Sequence, residues 1–279
     1  LIDVLAPGNL LAFNLISALS SYPSDALETT EKEFRTAQQR VKKNLDLLPK
    51  SSATTALHTA ASGLMANEVA AARHTCALVA GTVWCWGNND SGAVDQSGTT
   101  RVMSPAPLAV SDATLVTAGG AHSCVRRSSG DITCWGSNLY GQLGSGDAND
   151  VNGPVTGPGS RTMVAAGFTH TCTIDVLGEA YCWGDHSYGQ VSGEPVGGTV
   201  LSPTHRVDRP VGVDGWSAIA TGRRHTCALT KANELYCWGS NAFGELGHGG
   251  SDDPAPNPTR VPHPEGGSWV RVAVGGYTT

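Results

Sequence analysis

Two periods of apolar residues divide the chain. Between Ser24 and Lys50, Leu27, Phe34, Val41, Leu45 and Leu48 recur at near-helical spacing, with Glu31, Arg35, Gln39, Lys42 and Lys43 opposite them. That stripe predicts an amphipathic helix, capped by Ser24 after Pro23 and ended by Pro49. Leu10 to Leu19 reads as a shorter helix or as the remnant of an export signal. From residue 73 onward the period changes to two, in short runs bounded by glycine turns. There the cysteines share one strand face, and Trp86, Trp135, Trp183 and Trp238 take the other. Strands apolar on both faces need cover on both. Sheets stacked one against the next supply it. The expected organisation is a helical N-terminal segment and linker over 1–72, followed by repeated β units over 73–279.

The cysteines sharpen this reading. Cys76/Cys85, Cys124/Cys134, Cys172/Cys182 and Cys227/Cys237 form four pairs separated by 9, 10, 10 and 10 residues. Each pair brackets a hairpin signal. If Cys124 opposes Cys134, Arg127 faces Asp131 and Ser128-Ser129-Gly130 becomes a three-residue loop. The same construction places Gly178 and Asn233 last in the third and fourth loops, where a left-handed residue is wanted. In the first hairpin it leaves the two-residue loop Ala80-Gly81. Cysteines opposed across antiparallel strands lie within disulfide reach. Four disulfides would imply an oxidising compartment: periplasm, cell surface or outside. The rivals are reduced packing cysteines and metal. His74 joins Cys76 and Cys85, and His122, His170 and His225 recur likewise, but a structural zinc site wants four ligands and no fourth one repeats. The four histidines are read as packing residues, because a repeat supplies copies whereas catalysis needs an asymmetric set of partners.

A longer unit emerges when the chain is aligned on its cysteines. Its elements are Arg73-His74-Thr75-Cys76-Ala77-Leu78 and Arg224-His225-Thr226-Cys227-Ala228-Leu229, then Tyr181-Cys182-Trp183-Gly184 and Tyr236-Cys237-Trp238-Gly239. Asn138-Leu139-Tyr140-Gly141-Gln142-Leu143-Gly144 and Asn241-Ala242-Phe243-Gly244-Glu245-Leu246-Gly247 complete it. A period near fifty residues built from short strands points to a propeller or a related array. The first copy departs, with Ser91-Gly92-Ala93-Val94-Asp95 in the last element, and a fifth begins at Trp269 and stops at Thr279. These elements resemble the regulator-of-chromosome-condensation repeat family, in its cysteine-containing secreted or surface branch. The resemblance implies an all-β fold, a β-propeller of four-stranded blades. Four full repeats and a truncated fifth would form an incomplete ring, so the chain reads as a piece of a longer protein. An open arc would expose apolar blade faces.

Composition narrows the function. Charged residues are 15% of the 279 positions, glycine accounts for 35 of them, and the formal charge is −6. No basic cluster exceeds two residues, so a nucleic-acid partner is not expected, nor is a transmembrane segment. No nucleophile elbow, phosphate loop or zinc-protease motif occurs, so neither enzyme activity nor a cofactor is expected. Asn89-Asp90-Ser91 is a lone glycosylation sequon, and Trp216 and Trp269 are conceivable sugar platforms. Arg126, Arg127, Arg223 and Arg224 are the candidate partner-binding residues, beside loops that differ among copies. From Arg73 onward there are eleven arginines and one lysine, a bias suited to bidentate carboxylate contacts. The reading is a non-enzymatic extracellular or cell-surface scaffold for a protein partner. The alternative, implied by the resemblance, is a guanine-nucleotide exchange factor for a small GTPase.

Overall fold

The structure is a computed structural model that describes residues 68–275 apart from 72, 96, 150–154, 157–159 and 194. The helices predicted over 10–19 and 24–50 lie outside the described residues. Within them every regular element is a strand, and no helix is long and apolar enough to cross a membrane.

Four antiparallel meanders of four strands follow one another. The first sheet is β1 (Glu68–Ala71), β2 (His74–Val79), β3 (Thr82–Asn88) and β4 (Arg101–Pro107). The second is β5 (Ala113–Ala118), β6 (His122–Arg127), β7 (Ile132–Gly136) and β8 (Val155–Thr156). The third is β9 (Arg161–Ala166), β10 (His170–Asp175), β11 (Ala180–Asp185) and β12 (Thr199–Val200). The fourth is β13 (Trp216–Thr221), β14 (His225–Thr230), β15 (Leu235–Gly239) and β16 (Ala255–Val261). The first sheet begins at Glu68, ahead of the boundary read at residue 73. β1 carries no repeat signature and is defined by its pairing, Glu68 opposite Leu78 and Ala71 opposite Thr75.

The central hairpin of each sheet has the expected register. Cys76 opposes Cys85, Cys124 opposes Cys134, Cys172 opposes Cys182 and Cys227 opposes Cys237. All four pairs are disulfide-bonded, with Cα atoms 4.1 Å apart. The sulfurs are therefore used in cross-links rather than as thiolate ligands. The loops obey their turn chemistry: Gly130, Gly178 and Asn233 have φ of 87°, 83° and 61°, and Ala80-Gly81 takes 49° and 80°.

The disulfides of the first three sheets pack against the following sheet, that of the second sharing a core with Val164. Cys172 and Cys182 share a core with Trp216 and Trp238, and Cys76 and Cys85 share one with Trp135. The fourth disulfide is covered by Val274, with Trp269 and Val272 beside it. Residues 269–275, the expected start of a fifth repeat, form no strand.

Candidate functional site

One buried constellation repeats at each junction. His122 Nε2 lies 2.9 Å from Thr171 Oγ1 on the following sheet, and Thr171 donates to Gln142 O at 2.8 Å. Trp183 Nε1 donates to the same carbonyl at 2.9 Å. One junction on, His170 meets Thr226 at 2.9 Å, and Thr226 and Trp238 share Gln190 O. At the first junction His74 meets Ser123 at 2.6 Å, and Ser123 and Trp135 share Ala93 O. Each hydroxyl gives its proton to the carbonyl, so Nε2–H of the imidazole is the donor to the hydroxyl oxygen. Burial pushes His74 down to about 4 and His122 and His170 down to about 3, which keeps these rings neutral. Coulombic repulsion from neighbouring histidines adds a smaller downward push on His122 and His170, which Asp185 opposes at His170.

This geometry accounts for the motif residues. Each histidine sits opposite a glycine of the Trp-Gly pair, as His122 does Gly136, whose φ is 108°. A side chain there would meet His122 Cα at 2.8 Å. The glutamine of the last element folds its own turn: Gln142 Oε1 accepts from Tyr140 N, and Gln190 Oε1 from Tyr188 N. Ala93 lacks that side chain, yet its backbone carbonyl still takes the two donors of the second sheet. His74, His122 and His170 are joints between sheets through Nε2.

The four candidate arginines fall at opposite ends of the strands. Arg126 and Arg127 close β6 at the hairpin end, whereas Arg223 and Arg224 precede β14 at the end where His122 opens β6. A strand of six residues separates those ends by ~17 Å. Arg127 is spent on Asp112 at 2.7 Å and Thr133 at 3.2 Å, and Arg126 on Thr114 at 2.7 Å and the Arg161 carbonyl. At the histidine end the partners are aromatic rings. Arg224 lies 4.1 Å from the Tyr188 ring centroid. Arg223 and Arg73 lie 4.9 and 5.3 Å from the Phe168 ring. Turns of the first, third and fourth sheets therefore meet on one ring. The second sheet makes room with Gly120, where a Cβ would stand 2.5 Å from the Phe168 carbonyl and 2.7 Å from its ring. Tyr140 and Phe243, equivalent to Tyr188 in their repeats, are exposed.

Two other sequence candidates resolve differently. Asn89 of the sequon is buried, and its Nδ2 donates to Asp95 at 2.8 Å and to Thr99 O at 2.9 Å, so the nitrogen a glycan would need is occupied. Trp216 is 1% exposed and packs edge-on to Tyr236, so it is core and not a sugar platform. Trp269 is partly buried beside His263, ring centroids 4.9 Å apart.

Comparisons place this architecture. Two models described as the regulator of chromosome condensation (RCC1) repeat match, one at 113–142, 164–190 and 216–245, the other at 129–174 and 233–279. The ultraviolet-B receptor UVR8 of Arabidopsis thaliana is 31% identical over 76% of this chain and 50% of its own length. The human E3 ubiquitin-protein ligase HERC2 is 28% identical over 73% of this chain and 4% of its own. The chain thus spans half of the plant relative and a small part of HERC2. Among solved structures, Prp20p of Saccharomyces cerevisiae superposes with a TM-score of 0.64 at 20% identity, covering 72% of this chain and 51% of Prp20p. The motif models span just over half of this chain, and the fold is the one they describe: the chain belongs to the regulator of chromosome condensation repeat family, with four-stranded propeller blades.

Proposed function

We propose that this chain is a non-enzymatic scaffold that binds a protein partner outside the cytoplasm. The observation that carries the proposal is the same buried disulfide in every one of the four hairpins. Disulfides used structurally at each unit suit an oxidising compartment. The histidines and tryptophans are consumed in holding sheets together, which leaves the loops at the sheet ends to vary and to recognise. Exported protein from the native host, analysed by mass before and after treatment with a thiol reductant, should gain the mass of eight hydrogen atoms, two for each disulfide reduced. Eight free thiols before reduction would end the reading. Capture of secreted and surface proteins by the full-length protein should yield a partner.

A second reading follows from the likeness to Prp20p, which binds Gsp1p and histones. That likeness supports the fold. Exchange on a small GTPase would place the chain in a reducing compartment, against the disulfides. Capture of a nucleotide-free small GTPase by the full-length protein would favour this second reading over the first.

A further inference from the structure

Among the described residues, Arg73 and Arg224 at the histidine end lie against aromatic rings rather than in ion pairs, as Arg161 lies on Tyr181 at the hairpin end. The described ion pairs are Arg127–Asp112, Arg206–Glu179, Arg209–Glu179 and Arg260–Glu234. Arg73 and Arg224 take part in none of them; their guanidinium groups rest on Phe168 and Tyr188. A guanidinium laid on a ring has its flat face covered and its forked N–H edge still directed outward. That edge matches the two oxygens of a carboxylate. The stack also immobilises the side chain before any ligand arrives, which lowers the ordering cost of binding. Arg223 brings a third guanidinium to the same Phe168 ring, so the positive charge is concentrated over a few ångströms. At the loop position of Tyr188 the neighbouring repeats set Tyr140 and Phe243, 41% and 75% exposed. Arginine and aromatic anchors together are the composition of protein-binding hot spots.

We propose that the Arg73–Phe168–Arg223–Arg224–Tyr188 cluster is a docking site for an acidic peptide segment of a protein partner, its carboxylates held by the arginine edges and its apolar residues by Tyr140 and Phe243. The proposal rests on the scaffold reading and assigns that scaffold a face and a partner chemistry. A nucleic acid fits less well. The Phe168 and Tyr188 rings that would stack bases already carry arginines.

The test is fluorescence anisotropy of a labelled dodecapeptide of alternating Glu and Leu, against a Lys-for-Glu control, on the whole chain. The acidic peptide should bind, and binding should weaken as salt rises. The double variant Arg73→Ala/Arg224→Ala should weaken it at least ~10-fold. Arg224→Lys should lose most of that factor, because an ammonium neither lies flat on Tyr188 nor holds two oxygens. Arg126→Ala/Arg127→Ala, at the opposite end, should change binding less than about twofold. Phe168→Leu keeps an apolar group in place and should still weaken binding through the lost platform; a thermal melt of each variant separates this from unfolding. Peptide binding no better than the control overturns the proposal. So does binding indifferent to Arg73 and Arg224, equal competition by oligouridylate, or self-association of the chain that Arg224→Ala dissolves. A captured protein partner that ignores these arginines would sink this site and leave the scaffold standing. A bound peptide with no protein captured would sink the scaffold and leave the site.

Discussion

The first and fourth sheets carry the same motif in different surroundings. In the fourth, Trp238 is fully buried, and its indole N–H rests on the Gln190 carbonyl of the third sheet, where Thr226 joins it. In the first, Trp86 and Thr75 hold the equivalent positions and are only half-buried; among the described residues no preceding loop offers them a carbonyl. Both hairpins have the same cross-link and nearly the same register. The ribbon is therefore a local product of its own sequence, whereas the burial of its tryptophan is a property of the junction. The repeat encodes half of each of two interfaces.

The largest expected effect bears on all junctions at once. His74, His122 and His170 have folded values of about 4, 3 and 3, below the ordinary 6.5 of the unfolded chain. Their contribution is full above pH 6.5 and is lost as the pH falls toward 4. Each imidazole removes up to ~1.4 kcal/mol per pH unit in that window, so the three cost roughly 6 kcal/mol by pH 5. Urea midpoints measured from pH 7.5 to 4.5 should fall accordingly. His170→Gln should flatten the slope by about a third, each of the three rings carrying an equal share of the linkage. A midpoint that does not move with pH would show that these rings bind protons freely in the folded state.

Next comes the tryptophan itself. Trp238→Ala should cost ~3–5 kcal/mol by denaturant unfolding, and Trp86→Ala less, about 2 kcal/mol, because its ring is only partly enclosed. Equal losses would erase the distinction between the two sheets. The cross-links should behave in the opposite way. Replacing Cys76 and Cys85 by alanine should cost ~2–3 kcal/mol, and so should replacing Cys227 and Cys237, since the closed loops are of similar length. The smallest contrast is at the hydroxyls. Thr171→Val strips one donor from the Gln142 carbonyl and the acceptor from His122, for ~1–2 kcal/mol. Thr75→Val should stay within about 0.5 kcal/mol.

The hairpins were legible because their determinants are local. Cysteine spacing, the glycine or asparagine at the loop end and the opposed Arg127 and Asp131 lie within a few residues of each other, and Arg127 N does donate to Asp131 O at 2.9 Å. The junctions were half legible. The histidines read correctly as structural, but their partners stand 49, 49 and 56 residues away. A signal was present: the residue after each histidine, Thr75, Ser123, Thr171 or Thr226, always bears a hydroxyl. The arginine site was the least legible. Arg126-Arg127 and Arg223-Arg224 look alike as dipeptides, and only strand direction separates them. Arg73 and Arg224 stand at the same place, just before a motif histidine, but their ring partners Phe168 and Tyr188 lie at different positions of the third repeat; Arg73, Phe168 and Arg223 meet because the turns of three sheets converge beside Gly120.

The carbonyl shared by a tryptophan and a hydroxyl gives the stack a sense. Every sheet offers its loop forward and its two donors backward, so any unit can follow any other, but none can be turned round. Recombination that duplicates or removes a whole repeat therefore joins surfaces that already fit. Insertion of one residue between a histidine and the hydroxyl after it would instead swing one of them to the wrong side of its strand. Copy number in such a lineage is free to drift, while the count of residues inside each copy's hairpin is not.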